Sequence, residues 1–208
     1  MTRIKLCGLS RLSDIEAANE LRPDYIGFVF APASRRYVTP EEAARLRQRL
    51  APGIEAVGVF VRESPEAVAG LIDRGLIDVV QLHGGETEEY IRRLRALTGK
   101  PIIQAFRIGA PQDVERAQGS TADFLLFDSG SGGTGETFDW GQSRDIQRPY
   151  FLAGGLCAAN AAAAVRALNP YGVDVSSGIE TGGRKDKEKM AAFVRTVRHA
   201  RNSERKDD

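Results

Sequence analysis

Short apolar runs rich in β-branched residues alternate along the chain with longer stretches in which apolar positions recur at helical spacing among Ala, Glu and Arg. The short runs predict strands over 3–7, 25–30, 55–60, 78–82, 102–106, 124–127, 150–153 and 173–175. The longer ones predict helices over 13–21, 40–50, 65–74, 87–97, 111–118, 158–168 and 185–200. Two of these helices open with a hydroxyl, a proline and then acids: Thr39-Pro40-Glu41-Glu42 and Ser64-Pro65-Glu66. At a helix start the hydroxyl oxygen accepts an orphan backbone N–H, proline has none to satisfy, and carboxylates meet the positive end of the dipole. Eight strands in 208 residues average 26 residues per unit (208/8). Strands alternating with helices imply a parallel sheet, and eight of them imply closure into a single-domain (β/α)8 barrel over 1–201. The open doubly wound alternative lacks its signature, since no GxGxxG follows the first strand. The stretch between Asp128 and Tyr150 is Gly-rich without a helical pattern, so one outer helix is expected to be short or missing. Residues 202–208 read as a disordered polar tail.

Composition narrows the function classes. The 29 Lys and Arg against 28 Asp and Glu leave a formal charge of +1, without the electrostatic footprint of a nucleic-acid binder. No apolar run approaches the roughly 20 residues that span a bilayer, and the N-terminus turns polar at Gly8 to Arg11, too soon for a signal peptide. Neither nucleic acid nor membrane is therefore an expected partner. Cys7 and Cys157 are too few for a disulfide framework or a zinc site, which points to the reducing cytoplasm.

In a parallel barrel the reactive groups gather at the C-terminal ends of the strands. Those ends are Cys7-Gly8, Phe30, Phe60-Val61, His83-Gly84, Phe106-Arg107, Asp128-Ser129, Gly154-Gly155 and Ser176-Ser177-Gly178. Aromatic, titratable and Gly-rich groups on one rim suit a small aromatic anion. Tight turning alone would explain either of the last two loops. Their joint occurrence after strands seven and eight favours a phosphate site made by Gly154, Gly155, Ser176, Ser177 and Gly178, where glycine lets the backbone approach the anion. A lone cysteine is most often a small buried hydrophobe. Alternation, however, puts Cys7 on the same face as Lys5, and a nearby ammonium would lower the thiol below its usual value of about 8.5, as a general base requires. Cys157 reads as packing. Asp128 either caps the turn at Ser129-Gly130 or sits in a partly apolar pocket beside an anionic substrate, which would raise its pKa and make it an acid. An acid and a base on well-separated strands are what isomerisation by proton transfer requires. In Ser34-Arg35-Arg36-Tyr37, Arg35 reads as solvated, while one guanidinium turned inward would grip a carboxylate bidentately. His83 reads as a satisfied loop histidine or a substrate contact rather than a proton carrier. Lys5 and His83 join Arg36 as candidate substrate-binding residues, and Trp140 reads as packing.

Several segments, in order, resemble the phosphoribosylanthranilate isomerases of tryptophan biosynthesis. They are Ile4-Lys5-Leu6-Cys7-Gly8-Leu9, Gly27-Phe28-Val29-Phe30 with Ser34-Arg35-Arg36-Tyr37-Val38, Val57-Gly58-Val59-Phe60 and Val80-Gln81-Leu82-His83-Gly84. Then follow Gln104-Ala105-Phe106-Arg107, Phe127-Asp128-Ser129 with Gly132-Gly133-Thr134-Gly135 and Phe138-Asp139-Trp140, Leu152-Ala153-Gly154-Gly155-Leu156, and Gly172-Val173-Asp174-Val175-Ser176-Ser177-Gly178-Ile179-Glu180. The ordered set is specific where any single segment is weak.

The resemblance implies a TIM-type (β/α)8 barrel that carries out the Amadori rearrangement of N-(5-phosphoribosyl)anthranilate to 1-(2-carboxyphenylamino)-1-deoxyribulose 5-phosphate. It implies Cys7 as general base, Asp128 as general acid, Arg36 as the anchor of the anthranilate carboxylate and the two Gly/Ser loops as the phosphate site. No metal or redox cofactor is implied, because the substrate's own nitrogen is the electron sink. The expected partner is a phosphorylated aromatic small molecule, and the expected assembly is a monomer rather than a dimer. A related phosphosugar lyase would place a catalytic lysine and glutamate at the strand ends, where none is found. A non-catalytic phosphosugar-binding protein would have no need of Cys7 and Asp128 together, and histidine-pathway barrels typically use two aspartates.

Overall fold

The structure is a computed structural model that describes residues 2–109, 111–128, 146 and 148–200. The chain runs β1 (Arg3–Cys7), α1 (Leu12–Leu21), β2 (Tyr25–Val29), α2 (Pro40–Arg47), β3 (Glu55–Phe60) and α3 (Pro65–Asp73). It continues through β4 (Val79–Leu82), α4 (Glu88–Leu97), β5 (Ile102–Arg107), α5 (Pro111–Gln118), β6 (Phe124–Asp128) and β7 (Tyr150–Ala153). It ends with α6 (Ala161–Leu168), β8 (Gly172–Val175), a 3₁₀ turn (Ser177–Ile179), the short strands β9 (Glu180–Thr181) and β10 (Arg184–Lys185), and α7 (Lys187–Ala200). Strands β1 to β8 are parallel and form a closed barrel, with β1 paired to both β2 and β8. The outer helix expected to be short or missing, and the expected polar tail, fall outside the described residues.

The expected strand ends agree with the structure to within one residue, while three helix limits move for identifiable reasons. Helix α2 stops at Arg47 rather than near Leu50, because Asn19 accepts from Ala51 N and donates to the Arg49 carbonyl, each at 2.8 Å, pulling this segment into a turn. Helix α6 begins at Ala161 because Asn160 accepts from Cys157 N at 2.8 Å and donates to the Gly155 carbonyl at 3.0 Å. Lys185, expected to open the last helix, pairs instead with Glu180 in a β9–β10 hairpin, and the helix begins at Lys187. Both expected helix caps form: Glu42 N donates to Thr39 Oγ1 at 3.1 Å, and Ala67 N donates to Ser64 Oγ at 3.2 Å.

Alternation along each strand sorts the side chains. Ile4, Leu6, Ile26 and Phe28 belong to the core beneath the helices, whereas Val57, Val79, Ile103, Leu126 and Phe151 pack against one another inside the barrel. Cys7, Val29 and Val59 form a small further cluster, each two residues closer to the C-terminal rim than an inward neighbour. At the opposite end, one device recurs. Asp24, Asp78 and Asp123 stand immediately before β2, β4 and β6 and accept the backbone N–H of Ile4, Ala56 and Ile102 on the preceding strand, at 2.9, 2.9 and 2.7 Å. Each also pairs with an arginine: Arg3, Arg47 and Arg95 respectively. Among the described residues no helix is long and apolar enough to cross a membrane.

These aspartates hold the end of the barrel away from the rim, where conservation of shape serves stability rather than chemistry. Asp78→Ala orphans the Ala56 N–H and frees Arg47, so it should lower unfolding free energy by about 1–3 kcal/mol in urea titrations. Turnover below the melting range should stay at the wild-type level.

Candidate active site

Strand β1 brings Lys5 and Cys7 to the inward face, and its register sets Lys5 opposite Asp174 of β8 and Cys7 opposite Gly27 of β2. Lys5 is fully buried, and its Nζ lies 3.0 Å from Asp174 Oδ1. The absence of a side chain at Gly27 creates the space these groups occupy: a Cβ there would stand 2.7 Å from Cys7 Sγ and 3.2 Å from Lys5 Nζ. The ammonium is thus enclosed within the barrel, with Cys7 and Asp174 as its neighbours.

Burial pushes the Cys7 thiol up, as does Asp174, while Lys5 and the more distant Lys185 pull it down; burial wins and the thiol sits above its ordinary value. The expected depression by Lys5 therefore exists but is outweighed. Burial also pushes Lys5 down, yet its negative neighbours Asp174 and the Cys7 thiolate more than offset this, so Lys5 remains charged.

Asp128 ends β6 with its side chain about one-third exposed (32%), and its Oδ2 lies 3.6 Å from His83 Nε2. That side chain is therefore partly solvated. Gln81 Nε2 is 3.1 Å from His83 Nδ1. The Gln81 amide thus meets one ring nitrogen and Asp128 lies near the other, so the imidazole is held between them. His83 and Asp128 also border a cleft of about 870 Å³ whose walls include Val61, Gln104, Phe106 and Arg107. Glu86 shapes that rim: it accepts from the backbone N–H of Arg62 at 2.7 Å and of Gly84 at 2.9 Å, tying the loop after β3 to the loop after β4.

The two glycine turns meet backbone to backbone. A Cβ on Gly178 would lie 1.9 Å from the Leu156 carbonyl oxygen, so only glycine permits the approach. Gly154 and Gly155 have φ of 82° and 63°, the left-handed region that frees their backbone to face the rim. The Ser176 hydroxyl donates to the Cys7 carbonyl at 3.1 Å and accepts from Lys185 Nζ at 3.1 Å, so it joins β8 to β1, while Ser177 beside it is exposed.

Arg36 grips the carboxylate of Glu180, with Nε 2.6 Å from Oε1 and Nη2 3.0 Å from Oε2. Arg35 is not merely solvated, since its Nη2 reaches Glu180 Oε2 at 2.7 Å. The sequence reading assigned no role to Asp174, Gln81, Glu180 or Lys185. Gln81 and Asp174 were findable by alternation, sharing the inward faces of His83 and Ser176; the β9–β10 pair carried no such signal. Both cysteines are free, and Cys157 is half-buried beside the Gly154–Gly155 turn. Ser129, residues 132–135 and Trp140 lie outside the described residues.

A family model described as N-(5'phosphoribosyl)anthranilate (PRA) isomerase matches residues 4–196. An N-(5'-phosphoribosyl)anthranilate isomerase from Endomicrobium trichonymphae is 44% identical over 202 residues, covering 95% of this chain and 99% of its own. A Thermotoga maritima structure, described as mutually generated monomers of a dimeric phosphoribosylanthranilate isomerase, superposes with a TM-score of 0.85 at 36% identity, covering 96% of this chain and 100% of its own. Another solved isomerase, in complex with reduced 1-(o-carboxyphenylamino)-1-deoxyribulose 5-phosphate, gives a TM-score of 0.85 at 35% identity, with 96% and 100% coverage. A closed eight-stranded parallel barrel, paired glycine turns and full-length likeness agree, and the chain belongs to the phosphoribosylanthranilate isomerase family.

Proposed function

We propose that this chain isomerises N-(5'-phosphoribosyl)anthranilate to 1-(o-carboxyphenylamino)-1-deoxyribulose 5-phosphate, with Asp128 as acid and Cys7 as base. The observation that carries the assignment is the placement of both groups on inward-facing C-terminal strand ends, β1 and β6, separated by β7 and β8 around one closed ring. Asp128 gives its proton to the furanose ring oxygen. The C1–O bond breaks, and the nitrogen lone pair forms a C1=N iminium. That cation acidifies the C2–H; the Cys7 thiolate takes the proton, and the electron pair moves into a C1=C2 bond, neutralising the nitrogen. The enolamine becomes the ketone when the C2 hydroxyl loses a proton and C1 gains one. His83, whose imidazole lies beside Asp128, supports the carboxylate left after proton donation. The Gly154–Gly155 and Ser176–Gly178 turns hold the phosphate, and Arg36 the carboxylate, so the reacting carbons lie fixed between acid and base.

We take the chain to be a monomer in a reducing cytoplasm, the latter in keeping with its two free cysteines. A lyase of related fold, or a module that only binds phosphosugars, has no use for this acid–base pair.

Loss of substrate fluorescence on mixing with phosphoribosylanthranilate measures the reaction. Cys7→Ala and Asp128→Asn should each lower kcat by at least about a hundredfold while KM changes little, and near-normal turnover in either removes that residue from the chemistry. Because Cys7 lies above its ordinary range, the thiolate fraction grows with pH, so kcat should climb across the neutral and mildly alkaline range. Lys5→Met removes a cation that favours the thiolate and should move that rise to higher pH; a pH–rate profile identical to wild type would show that the ammonium does not act on the base.

A further inference from the structure

The turn after β8 carries a charge cluster centred on Glu180, which has no part in the proton transfers themselves. The Glu180 side chain is only 4% exposed, and three cations converge on it. Arg36 donates from Nε to Oε1 at 2.6 Å and from Nη2 to Oε2 at 3.0 Å, Arg35 from Nη2 to Oε2 at 2.7 Å, and Lys185 from Nζ to Oε1 at 2.7 Å. Burial alone would raise this carboxyl, but the bonds from Arg36 and Lys185 reverse the effect and hold it at about 2, so it is ionised throughout the working pH range.

The geometry is directional. A guanidinium is a rigid plane with five N–H groups, and Glu180 engages the Nε and Nη2 edge of Arg36. Fixing that edge fixes where the remaining N–H groups, both on Nη1 and the second on Nη2, must point. The stem is fixed too, because it crosses Gly8 so closely that a Cβ there would stand 2.4 Å from Arg36 Cδ. Glu180 is itself anchored by the hairpin: Lys185 sits directly opposite it in the β9–β10 register and also donates to the Ser176 carbonyl at 2.9 Å and hydroxyl at 3.1 Å.

We propose that Glu180 is a positioning residue that aims the free edge of Arg36 at the substrate carboxylate, and that Lys185 ties this carboxylate end to the phosphate turn through Ser176. The inference rests on the assignment of Arg36 as carboxylate anchor. An unrestrained arginine must surrender its rotamer freedom when it binds; here Glu180 has already restricted it, and the carboxylate meets a prearranged fork. Three cations against one carboxylate also leave a positive excess in this cluster, as a substrate with two anionic groups requires.

The test is steady-state kinetics of the full chain with phosphoribosylanthranilate, with inorganic phosphate as competitive inhibitor, for Glu180→Gln, Arg36→Met and the double variant. Glu180→Gln should raise KM about tenfold with a much smaller fall in kcat and an unchanged inhibition constant for phosphate. In the Arg36→Met background it should add nothing to KM, because it acts through that side chain. A raised KM in Arg36→Met with a wild-type KM in Glu180→Gln overturns this inference alone, whereas an unchanged KM in Arg36→Met overturns the anchor assignment beneath it. Additive effects in the double variant, or equal weakening of phosphate, mark a general structural role and also overturn it. If Glu180→Gln fails to fold, Glu180→Asp keeps the charge but shortens the arm by one methylene; it should still raise KM, and a wild-type KM there overturns the proposal.

Discussion

Each strand of the barrel is hydrogen-bonded on both sides, so its side chains have two directions available, toward the helices or toward the axis. That binary choice governs the molecule. Ile4, Leu6, Ile26 and Phe28 go outward to the helices, while Lys5, Cys7 and the Val57, Val79, Ile103, Leu126 and Phe151 layer go inward. Since all eight strands are parallel, the inward groups at their C-terminal ends arrive at a single mouth. The aspartates that precede β2, β4 and β6 act at the other end, where they satisfy backbone donors and engage arginines. Closure of one ladder therefore separates the groups that hold the barrel together from the groups that react.

The two groups assigned to proton transfer have unlike surroundings, and the difference suits their roles. Cys7 is dry, above a buried Lys5–Asp174 pair and within the field of Lys185, so its charge state depends on cations that water cannot screen. Asp128 is partly solvated and faces the His83 ring, so a carboxylate there has both water and an imidazole beside it. Environments that differ in this way let one small site run acid and base chemistry together. The Glu180 cluster extends the same logic: a carboxylate buried among three cations neutralises part of their charge and leaves the remainder directed.

Much of this was legible in the chain. Alternating apolar runs located all eight strands to within a residue, and strand parity alone brought Cys7 onto the face of Lys5. Thr39 and Ser64 announced their helices because a cap is a contact over three residues. The helix limits that moved were governed by Asn19 and Asn160, whose amides bond to backbone outside any periodic pattern.

What local pattern cannot encode is who meets whom across the ring. Lys5 and Asp174 are 169 positions apart, and Arg36 and Glu180 are 144 apart; only closure of the barrel and the β9–β10 turn bring them within bonding distance. The direction of the Cys7 shift belongs to the same class, being a balance between depth of burial and the distances to two ammonium groups. The sequence by itself determined the elements, their order, their inward and outward faces and the residue types at each strand end, because these follow from steric preference and hydrophobic period within a few residues. The tertiary structure decided the ion pairs, the aim of Arg36 and the charge state of the thiol, because Coulombic and desolvation energies depend on three-dimensional distance and on the exclusion of water.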